Sequence, residues 1–254
     1  MNDLGGYIAR MSKAMSYKKF WFDKVDPDKF DVIIDFGCGN GELGLEVLMD
    51  ERFKDKEVVF YETSKEMNKK LRKKLWLCGE RYQERITIIS NFELLKGLIK
   101  NRRTLIIFSS VLHECYSFNT LPFEWEDLNC HYIVIRDMYG EDNRARFTLQ
   151  EKWNIFKGSR KRDFFDFVRR YGFGDKAVLH FLLKHLYKEN WSTEVKENYF
   201  AVPWSTINII LLSIGYNMAY YNMYNIPFLV NYSEKQFGVT YDCYTHNEMI
   251  FERG

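Results

Sequence analysis

The chain has 254 residues, 46% of them hydrophobic and 17% aromatic, which is typical of one α/β domain with an insertion. Its net charge of +2 neither requires nor excludes a nucleic-acid partner. The five cysteines form no C-x-x-C pair, which favours reduced thiols over a disulfide framework. No signal-peptide core and no apolar run long enough to span a bilayer is visible, so we expect a cytoplasmic protein without a membrane partner.

The first part of the chain predicts a helix, a buried strand and a glycine-rich loop. The helix is predicted over residues 7–22 and the strand over residues 32–36. Gly37, Gly39 and Gly41 follow the strand, and a helical pattern comes next. Glycine lets the backbone approach a ligand closely, and the start of a helix presents unpaired N–H groups. This unit therefore predicts a cradle for a nucleotide-like molecule.

Further strands and helices alternate along the chain, and this alternation predicts a doubly wound parallel sheet. Strands two to five are predicted at residues 58–61, 86–89, 105–108 and 132–135. Helices are then predicted at residues 148–156, 160–171, 176–191 and 204–214. Strand six is predicted from residues 216–224 together with 228–230, and strand seven from 246–252.

The predicted elements divide the chain into a core, an insertion and an N-terminal region. Residues 31–139 and 203–254 carry the strands and form the core. Residues 140–202 carry only helical patterns, and we predict that they form a lid over the acceptor site. Residues 1–30 form an N-terminal capping region in this interpretation.

The glycine loop and two later segments resemble one enzyme family. Asp35-x-Gly37-x-Gly39-x-Gly41 resembles the E/D-x-G-x-G-x-G loop of the class I S-adenosylmethionine (SAM) methyltransferases. Residues 62–67 resemble the acidic-x-S-x-E-M stretch that follows strand two in this family, and residues 107–114 resemble its fourth-strand segment. The loop also matches the dinucleotide fingerprint G-x-G-x-x-G, so an NAD-dependent oxidoreductase remains a distant alternative.

The resemblance implies an α/β fold with a seven-stranded, mostly parallel, doubly wound sheet, a C-terminal antiparallel hairpin strand and a helical insertion after strand five. It also implies that SAM is the cofactor, with its ribose on Glu62, its adenine near Asn91 and its methionine end near Ser109. The cofactor-binding residues that we predict are Arg10, Asp35, Gly37, Cys38, Gly39, Asn40, Gly41, Glu62, Thr63, Asn91, Phe92, Ser109, Ser110 and Val111.

His113 and Glu114 are the candidate catalytic residues, because they follow strand four at the edge where open α/β sheets bind ligands. A histidine titrates near neutrality and can take a proton from an acceptor hydroxyl or amine. The alternative is that His113 only shapes the pocket, since methyl transfer to a good nucleophile needs little more than alignment. Asp137, at the end of strand five, either contacts the substrate or caps a helix.

We predict no metal, because Cys243 and His246 lack two further ligands at a similar spacing. The acceptor is a small molecule enclosed by the lid, or RNA or a nucleotide that the basic and aromatic residues of segment 160–171 contact. The same segment also has the spacing of a helix whose aromatic face is core. The alternative to an enzyme is a protein that keeps the methyltransferase fold and binds ligands without turnover.

Overall fold

Seven strands form a single sheet in the computed structural model, which describes residues 15–77, 80–142 and 144–254. The strands are β1 (Val32–Phe36), β2 (Glu57–Tyr61), β3 (Ile86–Ile89), β4 (Thr104–Ser109), β5 (Tyr132–Met138), β6 (Tyr216–Tyr224) and β7 (His246–Arg253). Their order is β3-β2-β1-β4-β5-β7-β6, with β1 to β5 parallel and β7 antiparallel to both of its neighbours. The predicted fold class is confirmed.

Helices connect the strands and cover the sheet. Within the described residues they are α1 (Glu42–Met49), α2 (Lys65–Leu77), α3 (Phe92–Asn101), α4 (Leu112–Phe118), α5 (Leu149–Gly158), α6 (Lys161–Tyr171), α7 (Asp175–His185), α8 (Trp191–Glu194), α9 (Trp204–Ser213) and α10 (Pro227–Phe237). None of these helices is long and apolar enough to cross a membrane.

The central strands are buried on both faces, as their continuous apolar sequences predict. Ile34 and Val59 belong to the hydrophobic cluster on one face of the sheet, whereas Ile33 and Val58 belong to the cluster on the other face. Successive residues of a strand point to opposite faces, so one strand supplies both clusters. This double burial fixes the sheet and leaves its carboxyl edge to form the site.

A third hydrophobic cluster holds helices α5 to α8 together. Phe164 and Phe167 of the basic segment are buried in it, as the core interpretation predicts, while Phe165 is 54% exposed. Leu229 and Phe237 of α10 join the same cluster, so the helices after β5 pack partly on a late part of the chain. The division into a core, a lid and an N-terminal region remains a prediction.

Three predicted elements differ in the structure. The helix predicted over residues 176–191 ends at His185, where a turn and a short 3-10 helix separate it from α8. Residues 228–230 were expected in strand six, but they lie in α10. Pro227 occupies the first turn of that helix, where its fixed φ suits a helix, and Gly238 ends the helix in a left-handed conformation at φ 66°. The N-terminal helix was expected to extend to residue 22, but residues 19–24 form turns; residues 7–14 lie outside the described part of the chain.

Candidate cofactor and acceptor site

The loop after β1 is held in a left-handed conformation and tied to β2. Gly37, Gly39 and Gly41 have φ values of 68°, 56° and 79°, which side-chain-bearing residues rarely adopt. The backbone N–H groups of Gly37 and Cys38 both donate to the carbonyl of Tyr61, at 2.9 and 3.1 Å. The loop therefore lies at the carboxyl ends of β1 and β2, where the sequence analysis placed the cradle.

Only one of these three glycines faces open space. A Cβ atom added at Gly37 would lie 2.4 Å from Cγ2 of Val111, and one at Gly41 would lie 2.3 Å from Cδ1 of Leu71. At Gly39 no heavy atom lies within 4 Å of the added Cβ. Close packing thus explains two of the glycines, whereas the backbone of Gly39 is accessible to a ligand.

Two carboxylates stabilise the loop by accepting hydrogen bonds from backbone N–H groups. Asp35 is buried, and its Oδ2 accepts a hydrogen bond from the N–H of Gly44 at 3.0 Å, which ties the end of β1 to α1. Burial raises the pKa of Asp35 to about 6. Glu62 accepts from the N–H of Gly39 at 2.9 Å through Oε2 and from the N–H of Ser64 at 2.7 Å through Oε1. Glu62 therefore lies beside the accessible glycine.

A histidine–aspartate pair lies at the start of α4. Nδ1 of His113 is 2.5 Å from Oδ1 of Asp137, and both residues are buried. Asp137 also accepts from the backbone N–H groups of Leu112 at 2.7 Å and Met138 at 2.7 Å, so it caps α4 and cannot swing away. Burial alone would lower the pKa of His113, but the charge and hydrogen bond of Asp137 outweigh burial and raise it.

The segment before α9 closes over this pair. The ring of Tyr199 packs edge-on against the imidazole of His113 with the centroids 5.1 Å apart. Glu197, 8% exposed, comes close to His113 and Glu114, because one ligand-type atom of each residue lies within 4.8 Å of the others. Burial raises the pKa of Glu197 to about 7, and the nearby carboxylates of Glu194 and Glu114 add to the shift.

Solved structures show the same fold across the chain. The pyocyanin biosynthetic protein PhzM aligns with 100% of this chain and 59% of its own, at 11% identity and a TM-score of 0.51. The chain has an α/β fold with the strand order of the class I methyltransferases. The methyltransferase domain of bacterial CtHen1-C is also similar, at 12% identity and a TM-score of 0.47, and aligns over 96% of this chain and 97% of its own. An O-methyltransferase family protein from Burkholderia thailandensis is similar at 11% identity and a TM-score of 0.49, over 100% of this chain and 61% of its own. No protein-family model and no curated protein matches the sequence.

Within the methyltransferase fold, the predicted adenine region already has structural roles. Oδ1 of Asn91 accepts from the backbone N–H of Glu93 at 2.8 Å and caps α3. The ring of Phe92 stacks on Phe123 with the centroids 5.5 Å apart and packs against the core. Neither role prevents contact with a ligand, so both assignments remain predictions.

The predicted methionine region lies at the end of β4. The hydroxyl of Ser109 is buried and has no hydrogen-bond partner in the described part of the chain. Ser110 has a positive φ of 59°, and its hydroxyl accepts a hydrogen bond from the guanidinium of Arg136. A strained residue and an unsatisfied hydroxyl at a strand end favour a ligand contact there.

The other predicted cofactor residues that the structure describes lie on or near the loop. Asn40 donates to the carboxylate of Glu42 at 3.2 Å, and Thr63 is exposed after β2. Burial, together with the charges of Asp35 and Glu62, raises the pKa of Cys38, so this thiol stays protonated. Arg10 lies outside the described residues.

Sequence analysis missed two cations near the loop. Lys18 is half-buried, and burial and the charge of Arg136 lower its pKa, while the charge of Asp35 opposes the shift. Arg136 is 4% exposed; its Nε donates to the hydroxyl of Tyr224 at 2.9 Å. An arginine directly after the apolar run at residues 132–135 was the available signal for Arg136.

Proposed function

We propose that this protein transfers the methyl group of SAM to an oxygen or nitrogen of an acceptor and releases S-adenosylhomocysteine. The observation that carries the proposal is the accessible backbone of Gly39 with the carboxylate of Glu62 beside it. Ribose hydroxyls are donors, and an ionised carboxylate at the end of the second strand is a strong acceptor for them. The residues of the loop therefore fit a nucleoside-type cofactor.

The charges beside the loop fit the amino-acid end of SAM. We place the methionine part against Ser109, Ser110 and Val111, where the unpaired hydroxyl of Ser109 lies. The guanidinium of Arg136 donates to hydroxyl groups, and its charge repels that of Lys18. A carboxylate close to both cations would relieve this repulsion. When bound, SAM supplies an electrophilic methyl group on a sulfonium.

On the acceptor side, the chain orients groups and excludes water. Asp137 holds Nδ1 of His113, which leaves Nε2 as the ring nitrogen that meets an acceptor. We assign the acceptor side of the pocket to His113 and Glu114. Alignment of the acceptor with the methyl group supplies the main effect, and the histidine assists at the acceptor proton.

The structure supports a small acceptor better than RNA. Tyr199 and Glu197 close over His113, which suits an enclosed molecule. The basic segment is less available than its sequence suggests, since Arg160 pairs with Asp163 at 2.5 Å and Phe167 is buried. Binding of a small acceptor should change little between 50 and 200 mM salt, whereas binding of RNA through several phosphates should fall by orders of magnitude.

The cofactor assignment is tested by calorimetric titration with SAM, S-adenosylhomocysteine and NAD. We expect the first two to bind. Glu62→Ala should weaken them by roughly tenfold to a hundredfold, because a hydrogen bond to a charged group contributes about 1.5–3 kcal/mol. Glu66→Ala is the control: Glu66 is an exposed carboxylate of α2 paired with Lys70, and its loss should leave affinity unchanged.

Each outcome of this titration separates the alternatives. Preferential binding of NAD would overturn the proposal and support the oxidoreductase. Unchanged affinity in Glu62→Ala would remove Glu62 from the ribose site. If SAM binds but labelled methyl is transferred to no member of a metabolite and RNA panel, the protein is a binding protein with a methyltransferase fold.

A further inference from the structure

Three potential metal ligands converge on the acceptor side of the pocket. His113, Glu114 and Glu197 each offer one nitrogen or oxygen atom, and these atoms lie within 4.8 Å of one another. Ligands at about 2.0–2.2 Å from one ion lie roughly 3 Å apart, so a modest inward rotation closes the group around a cation. Glu114 is exposed, whereas the other two residues are buried.

Glu197 is a buried carboxylate that no hydrogen bond or close ion pair satisfies in the described part of the chain, although the charges of His113 and Lys184 attract it. It is 8% exposed, and its side chain forms no hydrogen bond or ion pair with any residue in the described ranges. Its backbone is fixed, because the carbonyl accepts from the hydroxyl of Tyr171 at 2.9 Å and the N–H donates to the carbonyl of Glu194 at 3.2 Å. An unpaired buried carboxylate is costly, and a bound cation removes that cost.

The imidazole of His113 is oriented as a metal ligand usually is. Its Nδ1 lies 2.5 Å from Oδ1 of Asp137, and Asp137 is itself held by the backbone N–H of Leu112. Metal-binding histidines commonly donate one ring N–H to a carboxylate, which fixes the tautomer and leaves the other nitrogen to the metal. Here the remaining nitrogen is Nε2.

The surroundings carry excess negative charge. Glu194 lies beside Glu197, and Asp137 lies behind His113. Among the described residues, Lys184 is a nearby cation: its ammonium donates to the backbone carbonyl of Glu194 and lies 3.6 Å from the ring centroid of Tyr199. The carboxylates therefore outnumber the cations around the group.

We propose that His113, Glu114 and Glu197 bind one divalent transition-metal ion of the Mn²⁺ or Zn²⁺ type. One imidazole nitrogen with two carboxylate oxygens suits these ions better than Mg²⁺ or Cu(I). The exposed side at Glu114 leaves a position open for water. If the proposed function holds, an acceptor hydroxyl takes that position, and the ion replaces Nε2 of His113 as the group that assists at the acceptor: it lowers the pKa of the hydroxyl, whose proton passes to water. The sequence analysis predicted no metal because it weighed only Cys243 and His246, which lack two further ligands at a similar spacing.

The test measures metal binding without any turnover. Protein freed of metal with a chelator is titrated with Mn²⁺, followed by electron paramagnetic resonance of the free ion, and with Zn²⁺ by calorimetry. We expect one site per chain for at least one of the two ions. Glu197→Gln keeps the shape of the side chain and should weaken binding at least tenfold. Glu189→Gln removes an exposed carboxylate of the same insertion and should leave affinity within about twofold.

Two results would overturn the proposal. One is the absence of saturable binding for both ions in the unaltered protein. The other is equal affinity in Glu197→Gln and Glu189→Gln. SAM is titrated into the same samples as a separate test of the proposed function. If Glu197→Gln still binds SAM, the variant is folded. If the unaltered protein does not bind SAM, the result counts against the methyltransferase and not against the metal site.

Discussion

Adding a single methyl group at Gly39 separates the ligand-binding role of the loop from its folding role. In Gly39→Ala the new Cβ meets no heavy atom within 4 Å, so only the left-handed φ of 56° opposes the substitution. That strain costs about 1–2 kcal/mol, of which roughly 0.4–1 kcal/mol is offset by the reduced entropy of the unfolded chain. We therefore expect a loss of stability of about 1 kcal/mol in urea denaturation.

Binding should respond far more strongly than stability. The methyl group occupies the space through which SAM approaches the loop, and the ligand loses one or two hydrogen bonds and the contacts around them. We expect a loss of about 1.5–3 kcal/mol, or roughly a tenfold to hundredfold weaker Kd by calorimetry.

Two other glycines provide the controls. Gly238 has a φ of 66° and equally open space, but it ends α10 away from the loop, so Gly238→Ala should lose about the same stability and keep SAM affinity. In Gly41→Ala the new Cβ also clashes with Leu71, so this variant should lose roughly 1–3 kcal/mol more stability than Gly39→Ala. Normal SAM affinity in Gly39→Ala, or an equal loss in Gly238→Ala, would refute the assignment of Gly39 as the accessible position.

Two further predictions concern buried residues. Burial raises the pKa of Asp35 to about 6 from an ordinary value of 3.8, so its contribution to stability is present below about pH 4 and is lost as the pH rises through 6. As the pH is raised from 3.5 to 7.5, the free energy of unfolding of Asp35→Asn, measured by urea denaturation, should increase by about 3 kcal/mol relative to that of the unaltered protein. A difference that does not change with pH would contradict this. Phe167→Ala should lower the free energy of unfolding by about 3–5 kcal/mol, because Phe167 is fully buried in the third hydrophobic cluster. Phe165 is 54% exposed, so Phe165→Ala should lower it by less than about 1 kcal/mol. Thermal unfolding of the two variants measures the difference.

The sequence by itself determined the features that depend on neighbouring residues. The apolar run at Val32–Phe36, the glycines after it and the helical pattern from Glu42 are local, and they specify strand, turn and helix. Glu62 was also placed correctly at the end of a strand, because the order of parallel strands brings strand ends to one edge. These features were enough to predict the fold and the loop.

Local pattern was ambiguous where short segments fit two structures. Residues 228–230 are apolar and suit a strand, yet Pro227 and Gly238 set the limits of a helix that packs on the cluster around Phe181. Packing against a distant partner decided between the two structures, because the intrinsic preference of three apolar residues is small.

Only the tertiary structure decided which charged groups meet at the acceptor side. Glu197 and His113 are far apart in the chain and carry no shared spacing, but the helices after β5 bring them together. Lys18 comes under the charges of Asp35 and Arg136 for the same reason, since these two residues lie on different strands of the completed sheet. Burial and charge arise from many residues at once, and for that reason the chemistry of the acceptor side is a property of the fold and not of any motif.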